Sequence, residues 1–159
     1  MIFLTIGTQL PFDRLVKTVD VWAGKHREVR IYAQMGNGDY QPKNIEHGAY
    51  ISPEEFEKKF AEAELIISHA GMGSILTAIS YKKPIIIFPR DASLGEHRNN
   101  HQLSTAKELK RKGGVAIAFN EEELLDYLDN WRNIDEIRLA ENSSKKDLVA
   151  AIADFIDSR

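Results

Sequence analysis

The chain has no cysteine. That excludes a disulfide framework and any cysteine-ligated metal centre. No apolar run approaches the roughly 20 residues that a membrane-spanning helix needs. A strong charge of either sign is also missing. The formal net charge is −3 over 159 residues, which gives no basic face for nucleic acid. There is no internal repeat, no low-complexity tract, no P-loop and no Gly-x-Gly-x-x-Gly fingerprint after the first apolar run. The opening residues 1–7 are apolar but carry no basic leader, so they read as a buried strand and not as a signal peptide. What is present is a hydrophobic content of 43% and a length that suits one domain, expected to be soluble and cytoplasmic and to cover residues 1–159.

Apolar runs alternate with segments of helical period. Residues 2–6 read as a first strand. Residues 12–23 read as a helix opened by Pro11, with Leu15, Val16, Val19 and Trp22 on one face. Strands are expected at 28–34 and, briefly, at 49–52, separated by a turn-rich loop at 35–42. Ser52-Pro53-Glu54-Glu55 supplies an N-cap, a first-turn proline and a capping-box glutamate for a helix to about residue 63. Residues 65–68 and 84–88 read as buried strands, with a helix over 74–81 between them. A polar loop at 89–99 leads to a helix that ends at Gly113-Gly114, and a sixth strand is expected at 115–119. Asn120 with Glu123 caps a further helix to residue 128. Asn142 or Ser143 would cap a last helix striped by Leu148, Val149, Ile152, Phe155 and Ile156, which could pack on its own sheet or on another subunit. This alternation predicts an α/β fold, Rossmann-like and doubly wound, with a mostly parallel six-stranded sheet. In such sheets ligands bind beyond the carboxyl ends of the strands.

Most of the unusual polar residues fall in loops at those ends. In the turn His69-Ala70-Gly71-Met72-Gly73-Ser74, Gly71 and Gly73 remove bulk, Ser74 offers a hydroxyl, and a helix start favours an anion. Taken alone, the turn reads equally well as a tight turn with an N-cap serine. A second cluster holds Arg90, Glu96, His97, Asn99, Asn100, His101 and Gln102. Arginine can fork onto phosphate, amides and carboxylates suit sugar hydroxyls, and histidine carries protons near neutral pH. A capping asparagine explains one member of this set but not its density. Gly7, Thr8 and Gln9 leave the first strand beside the glycine turn, where Thr8 and Gln9 could touch phosphate or acceptor. A surface ion pair is the default reading for Asp13 and Arg14. His97 and His101 share a metal-like spacing but have no third ligand and no intervening glutamate, so no metal site is expected.

These residues together resemble the C-terminal, donor-binding domain of glycosyltransferase family 28, one half of a GT-B fold. The likeness covers nearly the whole chain. It rests on Ile67 to Ser74, then Lys83-Pro84 and His101-Gln102, in that order and spacing. The opening from Ile6 to Leu15, and Pro89-Arg90 with Gly95-Glu96-His97, are similar to bacterial exopolysaccharide glycosyltransferase subunits. The chain resembles more distantly the dolichol-pathway N-acetylglucosamine transferase catalytic subunit, and the lipid II-forming N-acetylglucosamine transferase is similar to it in that enzyme's second half. The resemblance implies a UDP-sugar donor, with Gly71, Gly73 and Ser74 along its diphosphate, His101 and Gln102 at the diphosphate or sugar, and His69 shaping the turn. Many relatives carry a ribose-binding glutamate where this chain has Thr77, which could make only a shorter, uncharged contact. A GT-B enzyme needs two domains. The resemblance therefore implies a membrane-anchored partner subunit that brings a polyprenyl-diphosphate-linked acceptor and the general base, with this chain peripheral at the inner face of the membrane. Glu96 and His97 are the candidate catalytic groups on this chain, and no cofactor is implied. A non-catalytic scaffold subunit is the alternative, and a dehydrogenase would have to lack its usual fingerprint.

Overall fold

The structure, a computed structural model, describes residues 1–135 together with 150, 153, 154 and 157. The expected cap at Asn142 or Ser143 and the stripe from Leu148 to Ile156 lie outside the described residues.

Six strands form one sheet: β1 (Ile2–Thr5), β2 (Ile31–Gln34), β3 (Glu46–Gly48), β4 (Leu65–Ser68), β5 (Ile85–Ile87) and β6 (Ala116–Ile117). Their spatial order is β3-β2-β1-β4-β5-β6, and each neighbouring pair is parallel. Four α-helices link them, α1 (Asp13–Lys25), α2 (Pro53–Glu62), α3 (Met72–Ser80) and α4 (His101–Lys112), and α5 (Glu121–Asp129) follows β6. The central strands are buried on both faces because alternate side chains feed two cores. Ile2, Leu4, Leu65 and Ile67 join α1 and α5 through Leu15, Val19 and Leu128. Phe3, Ile66, Ile85 and Ile87 join α2, α3 and α4 through Phe60, Ile75 and Leu109. The Trp22 indole N–H donates to Asp129 Oδ1 at 2.8 Å, which locks α1 against the end of α5.

Several boundaries differ from the sequence expectations, each for a local reason. The third strand lies at Glu46–Gly48, not at 49–52, because Ser52 is drawn into capping α2: its hydroxyl accepts from Glu55 N at 3.1 Å. The second strand starts at Ile31, since Val29 N bonds back to His26 O in a turn. Helix α1 starts one residue later than expected and runs two residues further, to Lys25. Helix α3 begins at Met72, two residues early, so Gly73 and Ser74 sit inside its first turn and extended Gly71 takes the N-cap. The long polar loop contains a short 3₁₀ turn at Ala92–Leu94 that the sequence reading missed; Asp91 caps it by accepting from Ser93 N. Asn120 Oδ1 accepts from Glu123 N at 2.9 Å, and Glu123 reaches back to Phe119 N, which completes the expected box on α5.

The sheet order reverses between β1 and β4. Connections run one way from β1 to β3 and the other way from β4 to β6, so the loops after β1 and β4 diverge and leave a crevice at their carboxyl ends.

Candidate functional site

Two chambers meet in that crevice, and Gly7, Thr8, Gly73 and Ser74 line both. One, of about 480 Å³, is bounded by the β1–α1 loop, the His69–Gly71 turn, and Arg90, His97 and Gln102. The other, of about 450 Å³, is walled by Tyr50, Ile51, Pro53 and Phe56, with Gln34, Glu57 and Thr77. Each volume lies within the range of small-ligand pockets, and apolar walls with a few convergent polar groups are the usual composition.

The helix that opens between the chambers is electrostatically bare. Helix α1 starts on Asp13, α2 has a serine cap and two glutamates, and α5 has an asparagine cap and three glutamates. Helix α3 has a glycine cap, no side-chain cap bond and no acidic residue in its first turn. The first N–H groups of a helix have no partner within it, and its dipole favours a negative charge there. Gly73 is built for close approach: a Cβ on it would meet nothing within 4 Å. A phosphate or diphosphate suits this position.

The other two glycines serve a different purpose. A Cβ on Gly71 would lie 2.2 Å from His69 Nε2, and one on Gly7 would lie 2.9 Å from His69 Cε1. Gly7 also holds φ at +78°, a conformation that side chains disfavour. The imidazole is thus packed between two glycines, with its Nδ1 3.2 Å from Ser68 Oγ. Burial, then the nearby Arg90 charge, pulls the His69 pKa down to about 4 against a hydrogen bond to the Thr5 backbone. At neutral pH the ring is uncharged, so it shapes the chamber and brings no charge to an anion.

Arg90 corrects a sequence expectation. It was expected to fork onto phosphate. Instead its side chain is 2% exposed and binds four backbone carbonyls. Nη2 donates to Ile6 O at 2.8 Å and Leu10 O at 2.7 Å; Nη1 donates to Pro11 O at 2.6 Å and Glu96 O at 3.3 Å. The guanidinium also lies 4.6 Å from the Phe12 ring centroid. Burial lowers its pKa to about 10, which leaves it charged at neutral pH. Its work is to staple the β1–α1 loop to the end of β5.

Glu96 is likewise committed. Arg14 grips it at both oxygens, Nε to Oε1 at 2.6 Å and Nη2 to Oε2 at 2.9 Å, and Asp91 N donates to Oε2 at 2.8 Å. The expected Asp13–Arg14 surface pair does not form. Asp13 Oδ2 accepts from Asp39 N and Tyr40 N, and Arg14 turns to Glu96 and Glu121. Burial of Arg14 lowers its pKa, but the Glu96 hydrogen bond and charge outweigh that and raise it overall. A carboxylate held in this way is a structural tie and not a free base.

The remaining members of the polar cluster divide between structure and cleft. Gln102 lines the first chamber while its Oε1 accepts from Arg90 N at 3.0 Å. His97 lines the same chamber, and Gln9 faces it from the β1–α1 loop. Asn100 Oδ1 accepts from Ala92 N, and Asn99 Oδ1 accepts from His101 N, so both asparagines order the loop and the start of α4. His101 is exposed at the first residue of α4 and lines neither chamber. Thr77 lines the second chamber and donates its hydroxyl to Gly73 O at 2.8 Å. Among the described residues no group of three or more acidic, histidine or cysteine side chains could hold a metal. The sequence reading missed Gln34, Tyr50, Phe56 and Glu57. Only the position of Gln34 at the carboxyl end of β2 was a signal; the others sit on a linker and a helix with no motif.

Sheet order, crevice and bare helix start place the chain among the doubly wound α/β domains that open a ligand cleft at the sheet's switch point. The sequence profile of the glycosyltransferase family 28 C-terminal domain matches residues 1–157, and the chain belongs to that family. It is 29% identical over 122 residues to the human UDP-N-acetylglucosamine transferase subunit ALG13, an alignment covering 70% of this chain and 10% of the relative. It is 32% identical over 105 residues to the UDP-N-acetylglucosamine–N-acetylmuramyl-(pentapeptide) pyrophosphoryl-undecaprenol N-acetylglucosamine transferase of Clostridium botulinum, covering 65% of this chain and 26% of that relative. The chain therefore spans only about a tenth of the human relative's length and about a quarter of the clostridial one's. Among solved structures, the solution structure of ALG13 matches with a TM-score of 0.59 at 21% identity, covering 83% of this chain and 85% of that one. The crystal structure of Acinetobacter baumannii MurG matches with a TM-score of 0.58 at 20% identity, covering 99% of this chain and 49% of that one. These likenesses show the fold, the Rossmann-like architecture found in GT-B glycosyltransferases.

Proposed function

We propose that this chain is the donor-binding subunit of a glycosyltransferase that uses a UDP-sugar and works with a second, acceptor-bearing subunit. The uncompensated start of α3, at the junction of two chambers, carries this reading. The diphosphate lies on the N–H groups around Gly73 and Ser74. The nucleoside enters the chamber walled by Tyr50, Ile51 and Phe56, and the sugar lies toward Gln9, His97 and Gln102. Membership of the family supports a glycosyl donor, and the names of the ALG13 and clostridial relatives support UDP-N-acetylglucosamine.

In the proposed reaction an acceptor hydroxyl attacks the anomeric carbon as the bond to the diphosphate breaks. The electron pair of that bond leaves with UDP, where the α3 dipole offsets the growing negative charge. The hydroxyl proton passes to a base on the partner, because Glu96 is tied to Arg14. That commitment of Glu96, and the name of the ALG13 relative as a transferase subunit, favour a two-subunit enzyme. The partner is proposed to be membrane-anchored and to hold a polyprenyl-diphosphate-linked acceptor, with this chain at the cytoplasmic face in polysaccharide synthesis. No helix among the described residues is itself long and apolar enough to cross a membrane.

Isothermal titration of the full chain with UDP and UDP-N-acetylglucosamine, alone and with the neighbouring gene's product, tests the reading. Gly73→Ala sharpens it. Gly73 lies in the first turn of α3 with negative φ, and a methyl there enters open space, so the variant keeps the parent's fold. UDP affinity is expected to fall about tenfold or more, since a single displaced hydrogen bond to a charged group is worth about 1.5–3 kcal/mol. Unchanged affinity in a well-folded Gly73→Ala protein, or no nucleotide binding by the assembled pair, refutes the proposal.

A further inference from the structure

The overall charge of −3 hides an uneven distribution. Helices α2, α3 and α4 cover the same side of the sheet, because Phe60, Ile75 and Leu109 share one core. Their outer faces differ in charge. Helix α2 exposes Glu54, Glu55, Glu57 and Glu62 against Lys58. Lysine and arginine gather instead at the far ends of α3 and α4. Lys82 and Lys83 follow α3 and lead into β5, while Lys110, Arg111 and Lys112 close α4 and precede β6. Strands β5 and β6 are parallel neighbours, with Ile86 beside Ala116, so the two basic turns lie side by side. Lys107 adds an exposed cation one turn back on α4. The carboxylate on α4, Glu108, is already neutralised by Arg111 at 2.7 Å and Lys112 at 3.5 Å. Among the described residues neither Lys82 nor Lys107 has an ion pair.

Compensation of the helix dipole does not account for this density. Helix α1 has one basic residue in its last turn and α5 has none, where α4 has three. Nor is the patch built for a discrete anion. Five of its six cations are lysines, point charges on flexible stems that lack the planar fork with which arginine grips one phosphate or carboxylate. Such a group attracts a broad anionic surface. The same outer face presents apolar side chains, Leu76 at 40% and Tyr81 at 38% exposure, on and just after α3. Aliphatic and aromatic groups beside lysines suit the level of lipid headgroups, where ring and stem bury while the polar tips stay wet. We propose that the outer face of α3 and α4 binds directly to a bilayer surface rich in anionic lipid. The acidic outer face of α2 is repelled by the same surface and fixes the tilt. Helix α4 then lies toward the lipid, and the chamber walled by Tyr50 and Phe56, on the α2 side, stays open to water. The inference stands independently of the donor reading.

Co-sedimentation of the full chain with vesicles of phosphatidylglycerol and phosphatidylcholine in equal parts, and with vesicles of phosphatidylcholine alone, tests it. Binding is expected to the anionic vesicles and is expected to weaken as salt is raised. Each basic residue near such a surface is worth about fivefold in affinity, so Lys82→Gln with Lys107→Gln is expected to weaken binding about 25-fold. Both side chains are exposed, neither lines a chamber, and glutamine matches lysine as a helix former, so this variant folds and keeps the parent's response to UDP. Lys17→Gln with Lys25→Gln, on α1 at the opposite core, is expected to bind vesicles as the parent does. Equal binding to neutral and anionic vesicles, or equal losses in the two double variants, overturns the inference. Retention on polyglutamate without retention on anionic vesicles assigns the face to an acidic protein and overturns it as well. None of these outcomes bears on the donor reading, which the UDP titration decides separately.

Discussion

Arg90→Met separates a structural arginine from a phosphate ligand. The guanidinium makes four hydrogen bonds to carbonyls of the β1–α1 loop and the polar loop. The bond to Ile6 O is fully buried, so its loss leaves an acceptor that water cannot reach, at a cost of about 1–3 kcal/mol. The other three are partly buried and can rehydrate, at roughly 0.5–1 kcal/mol each. Loss of the contact with Phe12 adds roughly 0.5–1 kcal/mol. Against this, methionine does not have to bury a charge, and burial disfavours the charged guanidinium, lowering its pKa to about 10. The balance is a destabilisation of about 3 kcal/mol, a large share of a typical 5–15 kcal/mol domain stability. Urea unfolding followed by the fluorescence of the buried Trp22 and Trp131 reads it directly. A loss below about 1 kcal/mol, together with a tenfold or greater fall in UDP affinity, would refute the staple and return Arg90 to the role of phosphate ligand.

Two further outcomes follow from the packing of His69. Gly71→Ala places a methyl 2.2 Å from Nε2 and is expected to cost about 2 kcal/mol through overpacking. Most of that cost should vanish when His69 is also alanine, and additive losses in a double-mutant cycle would show that the ring is not what Gly71 makes room for. The depressed His69 pKa also makes stability depend on pH. The unfolded imidazole takes up a proton near its ordinary pKa of 6.5, and the folded one near 4. Between these values the unfolded state holds more protons, so the contribution is intact above pH 6.5 and is lost as pH falls towards 4, about 3 kcal/mol in all. His69→Phe should flatten that limb of the unfolding curve. A parent whose stability does not change between pH 7 and 4.5 would contradict the burial argument.

Much of the architecture was legible because periodicity and punctuation agreed along the chain. The isoleucine run before Phe88, the Ser52-Pro53 start and the Asn120–Glu123 box each combine a local propensity with a terminal signal, and the structure has strands and helices at those places. The third strand was displaced because Ser52 serves as a cap, a choice between two uses of one segment that local pattern does not make. At the site, Gly73 and Ser74 could be read as lining a cleft from their glycine-rich helix start. Arg90 and Glu96 could not be read correctly, because their partners are Ile6, Leu10, Pro11 and Arg14, about eighty residues away in sequence. The apolar chamber was invisible for the same reason: Gln34, Phe56 and Thr77 come from a strand and two helices far apart in sequence.

The order of apolar and polar residues alone determined that strands and helices alternate, and parallel crossovers then place the functional loops at one end of a single sheet. Backbone geometry and side-chain period are local properties, and a chain carries them in its sequence. Only the tertiary structure decided which charged groups remain free. Whether a guanidinium binds phosphate or its own carbonyls, and whether a glycine admits a ligand or an imidazole, depends on which distant groups reach it first and on the cost of leaving buried carbonyls without a donor.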